Sequence, residues 1–140
     1  MTELNFDLGL KSFSLNGEVE VSFNDTDFNF IERLWDVFYD LDAKQEGYKK
    51  KVETIASNKE AFAFMRTVDG EMREKINGLF GKEVCVPVFG HMNLFALCDG
   101  LPIWANLLLS VIDQCDDGFS REQKAINPRV QKYTAKWGKK

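Results

Sequence analysis

The chain has 140 residues, 44% hydrophobic and 29% charged, with 12 phenylalanines. That length bounds it to one domain, or one domain with an appendage, and supplies enough apolar matter for a real core. The net charge of −4 argues against general nucleic-acid binding.

Residues 11–23 read KSFSLNGEVEVSF. Phe13 and Leu15 alternate with polar residues, and Val19, Val21 and Phe23 alternate again. Asn16-Gly17 lies between them, and both residues tolerate positive φ. The pattern predicts a β-hairpin with one apolar face. Two strands alone are marginal, so that face must cover a helix or join another sheet.

Asn24-Asp25-Thr26-Asp27 is rich in capping residues, with Asp25 or Thr26 expected as the cap. Ile31, Leu34, Trp35, Phe38 and Leu41 follow at spacings of three and four, so a first helix is expected over residues 27–41. A second, long helix is expected over residues 44–80. Its stripe includes Val52, Ile55, Phe62, Met65, Met72, Ile76 and Leu79, and no proline interrupts it. Ser57-Asn58 and Gly70 are its weak points.

Residues 84–115 hold the only histidine, all three cysteines, two of the three prolines and the longest apolar run. Residues 84–89 are too short to assign as helix or strand. Residues 92–97 read as one or two helical turns, broken by Asp99-Gly100. Pro102 suits the first turn of a further helix, expected over residues 101–115. Its polar residues Asn106, Ser110 and Asp113 form one narrow stripe, so the helix belongs in the core or in a subunit contact. The run falls short of the about 20 apolar residues that span a bilayer, so no membrane association is expected.

The charge is unevenly divided. Residues 1–120 carry 11 Lys and Arg against 21 Asp and Glu, a net of −10. Residues 121–140 carry 7 against 1, a net of +6. Val130, Tyr133 and Trp137 recur at helical spacing in that stretch, which reads as a basic amphipathic tail. An acidic body with a basic tail favours contact between copies or with an acidic partner. The expected architecture is therefore mostly α (α+β): one domain over residues 1–120, with a hairpin packed on a helical body, and a tail over residues 121–140.

No catalytic or cofactor motif emerges. His91 with Cys85, Cys98 and Cys115 gives the spacing C-x5-H-x6-C-x16-C, which matches no paired-ligand zinc pattern. Asp113, Asp116 and Asp117 read as a solvated helix end rather than a metal site. The start MTELNF lacks a basic n-region and an apolar h-region, so no signal peptide is expected. The thiols are expected to be free, in apolar surroundings and a reducing cytoplasm.

The stretches LNGEVEVSFNDTDFNFIERL, EMREKINGLFGKEVCVPVFGHMNLFALCDGLPIWANLLL and REQKAINPRVQKYTAKW cover most of the chain. Their distinctive parts are Ile76 to Gly81, Val88-Phe89-Gly90 and Asp99-Gly100-Leu101-Pro102. They resemble a family of small proteins encoded by phages and prophages of low-GC Gram-positive bacteria, similar in size and pattern to siphophage tail assembly chaperones. The resemblance implies a non-enzymatic protein of the host cytoplasm that coats the tape-measure protein while the tail tube forms. It implies no cofactor and no catalytic residue. The alternative reading is a phage-encoded inhibitor of a host enzyme or defence protein.

A tape measure is a long helical chain, and an apolar groove would receive its amphipathic face. Such a groove is expected between the first helix and residues 84–115. Phe30, Trp35, Phe38, Phe89, Phe95 and Trp104 are the candidate lining residues, although large apolar side chains at helical spacing usually face inward. Arg129, Lys132, Tyr133 and Trp137 of the tail are candidate protein contacts, and a homo-oligomer is expected.

Overall fold

The alternating apolar residues of the first stretch form antiparallel strands β1 (Lys11–Leu15) and β2 (Val19–Phe23), with Phe13 opposite Val21 and Leu15 opposite Val19. Asn16 and Gly17 both take positive φ, 53° and 72°, as the Asn-Gly turn requires. This description is a computed structural model that covers residues 1–125 together with Pro128 and Arg129.

Helix α1 spans Phe28–Glu53. Its cap is neither Asp25 nor Thr26 but Asp27, whose Oδ1 accepts from Asn29 N at 2.9 Å. The helix also overruns its expected end by twelve residues. Nothing in Asp42-Ala43-Lys44 breaks a helix, and the Asp40–Lys44 ion pair (3.1 Å) is an i,i+4 bridge across the supposed junction. The expected long second helix is correspondingly shorter. Thr54 ends α1, its hydroxyl turning back to Lys51 O at 2.7 Å. Helix α2 (Asn58–Phe80) restarts after Ser57, with the hydroxyl of Ser57 accepting from Glu60 N. Ser57-x-x-Glu60 has the spacing of a capping box, so the weak point at Ser57-Asn58 is where the helices part.

Gly81 closes α2 in the left-handed region, φ 71°. Asn77 then turns the chain: its Oδ1 accepts from Val84 N (2.8 Å) and Cys85 N (3.1 Å), which starts the short helix α3, Cys85–Phe89. Residues 92–96 are turns rather than helix. Asp99-Gly100 does more than break the chain. With φ of 55° and 80° it forms the turn of a second, minimal hairpin, β3 (Leu97–Cys98) and β4 (Leu101–Pro102). The apolar helix α4 runs Ile103–Lys124, starting two residues later than expected and ending nine later. Asp116-Asp117-Gly118 does not end it, and its last turn crosses the expected domain boundary at residue 120.

The core sits where α1, α2 and α4 meet beneath the first hairpin. Leu34, Leu41, Val68, Met72, Ile76, Trp104 and Leu108 are among its fully buried side chains. The hairpin is fastened by rings: Phe13 stacks on Phe23 at 4.6 Å and Phe23 on Phe30 at 4.4 Å. It is fastened a second time by charge. Asp25, fully buried, accepts from Gln114 Nε2 (3.0 Å) and from Arg121 Nη2 (3.0 and 3.2 Å), with Lys11 Nζ 3.5 Å away. Among the described residues no helix is long and apolar enough to cross a membrane.

Gly118 faces that carboxylate. A Cβ there would stand 2.5 Å from the Asp25 carboxyl carbon. Alanine usually stabilises a helix interior by about 1 kcal/mol over glycine. At position 118 overpacking of about 1–3 kcal/mol should reverse the sign. Gly47→Ala and Gly70→Ala, where a Cβ meets nothing within 4 Å, should each stabilise by roughly 0.5–1 kcal/mol. Urea unfolding midpoints of the three variants check the contrast.

Burial by itself would raise the Asp25 pKa. The hydrogen bonds from Gln114 and Arg121 and the charges of Lys11 and Arg121 outweigh it and hold the carboxyl below its ordinary 3.8. A depressed folded pKa stabilises the fold above the unfolded value, and that stability is lost as pH falls through the folded one. Acid titration should therefore destabilise the protein from about pH 4 downwards. Asp25→Asn should lower stability at pH 7 and flatten the slope below pH 4, as thermal melts across that range will show.

Candidate functional site

Two grooves lined largely by apolar side chains open on the surface of the described residues, and the first of them is a product of the corrected element boundaries. The first, the helix groove, has a volume of about 580 Å³. The second half of α1 supplies Gln45, Tyr48, Lys49, Val52 and Glu53. Met65 of α2 and Phe95, Leu97 and Pro102 of the second hairpin complete it. This wall exists because α1 continues past Leu41. Two full turns beyond the expected end carry Gln45, Tyr48 and Val52 to the groove at i, i+3, i+7 spacing.

Tyr48 organises the floor. Its ring meets Phe64 edge-on at 5.9 Å and Phe95 at 6.2 Å, and its hydroxyl donates to Glu71 Oε2 at 3.3 Å. Burial, then the negative charge of Glu71 and its hydrogen bond, push the Tyr48 pKa up, so the phenol stays a neutral donor. Gln45 is fixed from below, its Oε1 accepting from Trp104 Nε1 at 2.8 Å.

Phe95 is presented by a polar clamp on α2. Arg73 bonds Asp69 Oδ2 through Nε (2.9 Å) and donates through Nη2 to Gly90 O (2.9 Å) and Met92 O (2.7 Å). The other oxygen of Asp69 accepts from Leu94 N at 2.7 Å, and Asn93 Oδ1 accepts from Phe95 N at 2.9 Å. Four backbone groups of an irregular loop are thus satisfied by side chains, as segments without ladder partners require.

The second, the turn groove, has a volume of about 530 Å³. Ser14, Leu15 and Asn16 of the first hairpin form one side, Val88 and Phe89 of α3 another, and Ile103, Asn106, Leu107 and Ser110 of α4 the floor. The polar stripe of the apolar helix finds its place here. Asn106 Nδ2 donates to Cys98 O at 3.1 Å and Ser110 is exposed, as is Asp113 further along.

The ten contact candidates do not gather in one place. Phe95 lines the helix groove and Phe89 the turn groove. Trp35 and Phe38 are half-buried in an aromatic ladder with Tyr39 and Trp104, at ring distances of 5.3–6.0 Å. Phe30 and Trp104 are core residues and line neither groove. Arg129 is exposed, whereas Lys132, Tyr133 and Trp137 lie outside the described residues. Where one groove was expected between the first helix and residues 84–115, Phe95 and Phe89 line two separate ones. Tyr48, Val52 and Leu97 join Phe95 in the helix groove and are not among the expected residues. Their signals were the unbroken helix through residue 44 and the Asp-Gly turn, which puts an apolar residue on each flank.

The thiols divide. Burial pushes Cys85 up to about 12 and Cys115 up to about 11, so both stay protonated and inert at neutral pH. Cys98 is exposed, contrary to the expectation that all three lie in apolar surroundings, because it flanks the β3–β4 turn at the surface. His91 is exposed too. Among the described residues no group of three or more His, Cys, Asp or Glu is placed to hold a metal ion.

Arg73→Ala should release the loop over residues 90–96. The lost charge-assisted bonds should cost about 1.5–3 kcal/mol, and amide exchange in that loop should accelerate about tenfold or more. Arg73→Lys keeps the charge but not the fork, and should rescue little of the protection. Exchange measured by mass spectrometry on both variants checks this.

No protein-family profile, no curated protein and no solved structure matches the chain.

Proposed function

We propose that this protein is a non-catalytic, tail-assembly-chaperone-like binder that holds the phage tape-measure protein in the host cytoplasm until the tail tube encloses it. The observation that carries the reading is the helix groove. It is apolar, it is open along the exposed side of α1, and its floor is held by Tyr48, Gln45 and the Arg73 clamp rather than by flexible chain. A preformed apolar trough of this kind receives the apolar face of an amphipathic helix, whose anchors recur at i, i+3, i+4 and i+7. Leu97, exposed at the groove's edge, adds apolar surface that the chain itself leaves uncovered. The resemblance of the sequence to small phage proteins supplies the client.

The test is co-expression with the tape-measure protein followed by pulldown and sedimentation. Val52→Asp and Phe95→Asp should each leave the circular dichroism spectrum intact and weaken client binding about thirtyfold or more, as loss of a central apolar anchor does. Phe30→Asp, in the core, should instead unfold the protein. Groove variants that keep the client soluble at wild-type levels would refute the reading. A phage lacking the gene that still builds full-length tails would refute it as well, and would favour the inhibitor alternative.

A further inference from the structure

The first ten residues carry a second pattern. Leu4, Phe6 and Leu8 alternate with Glu3, Asn5 and Asp7, which is the period of a β-strand with one apolar face. Yet the segment belongs to no strand, and those side chains are 81%, 80% and 63% exposed. Among the described residues, residues 1–8 make no backbone–backbone hydrogen bond. A strand-forming sequence with bare apolar side chains and no backbone ladder is a strand without its sheet.

The same chain carries the complementary vacancy. The first sheet has only two strands, so one edge of β1 is unpaired among the described residues. The β2 side is obstructed, since Lys82 Nζ bonds Glu20 O at 2.6 Å. Beside Ser14 and Leu15 of β1 lies the turn groove, with Val88 and Phe89 along another side and Ile103 and Leu107 on its floor. A strand laid along β1 would find backbone partners on one side and an apolar trough beneath its alternate side chains. This is the geometry of strand addition.

We propose that the N-terminal arm of one copy adds as an edge strand to β1 of a second copy and drops Leu4, Phe6 and Leu8 into its turn groove. A second copy is the occupant because of where the arm leaves the body. Asn24 Nδ2 holds Leu8 O at 2.8 Å, at the end of the hairpin opposite its turn, and Gly9 takes φ 71° there. To enter its own groove the arm must break that bond and reverse. Running outward, eight extended residues reach about 26 Å, enough to meet a neighbour. At roughly 100 Å² of apolar surface per side chain of this size, reciprocal exchange covers about 600 Å² of arm surface, and the groove walls and the new strand ladders add to it. This assembly surface is separate from the helix groove and does not rest on the proposed client.

The test is sedimentation velocity on the full chain across a concentration series, with hydrogen exchange on the arm. Wild type should associate, and arm amides should gain protection as concentration rises. Phe6→Asp on the arm and Ser110→Arg in the groove both alter exposed positions, so both variants should fold, and each should shift association at least tenfold towards monomer. A wild type that stays monomeric at high concentration overturns the proposal. A Phe6→Asp variant that associates like wild type also overturns it, as does a Ser110→Arg variant that does so while Phe6→Asp dissociates. Arm protection independent of concentration would mean that the arm occupies its own groove, and overturns it too.

Discussion

The buried carboxylate of Asp25 is the contact on which the arrangement depends. It sits at the end of the first hairpin and accepts from Gln114 and Arg121, which are 89 and 96 residues further along the chain. An unpaired buried charge would be strongly unfavourable, so Asp25 can be buried only when the last turns of α4 are docked against it. A two-stranded sheet is marginal by itself. This one is held because its far end is pinned to α4, the helix that supplies the most buried residues to the core. Gly118 is the counterpart of the same constraint, for only a residue without a Cβ lets the carboxylate approach.

A second polar device shapes the loop that carries Phe95. Arg73 and Asp69, one turn apart on α2, together satisfy the loop that carries Phe95. Such charge-assisted bonds are stronger and more directional than neutral ones. The consequence is a rigid trough rather than a collapsed one: Phe95 stands against Tyr48 instead of sinking into the core. Both polar anchors therefore leave apolar surface at defined places, the turn groove beside β1 and the helix groove beside α1.

The two proposed roles use these surfaces without competing. Strand addition would take the turn groove, and a client helix would take the helix groove. A chaperone that assembles while holding a long, repetitive helical partner gains from that separation, because each bound copy places the next along the same chain and raises its effective concentration. The acidic body of residues 1–120 would keep such assemblies soluble.

The sequence by itself determined the local structure. The Asn16-Gly17 hairpin, the helical character of the body and the burial of Trp104, Leu108 and Ile112 all follow from period and turn chemistry, which act within a few residues. Helix ends were less legible. Residues 42–44 look like a junction only if each apolar stripe is taken as one helix, and an i,i+4 ion pair carried α1 through it. Tertiary structure alone decided the rest. No pattern in the chain says that Asp25 would leave the helix cap to meet Arg121, or that Arg73 would hold the Phe95 loop. Nor does spacing separate Phe30, which stacks in the core, from Phe89 and Phe95, which line grooves. Burial is a property of what packs opposite a residue, and the opposite element lies tens of residues away. The alternation of Leu4, Phe6 and Leu8 is the converse case. The sequence states a strand plainly, and only the fold reveals that no partner for it exists among the chain's own described residues.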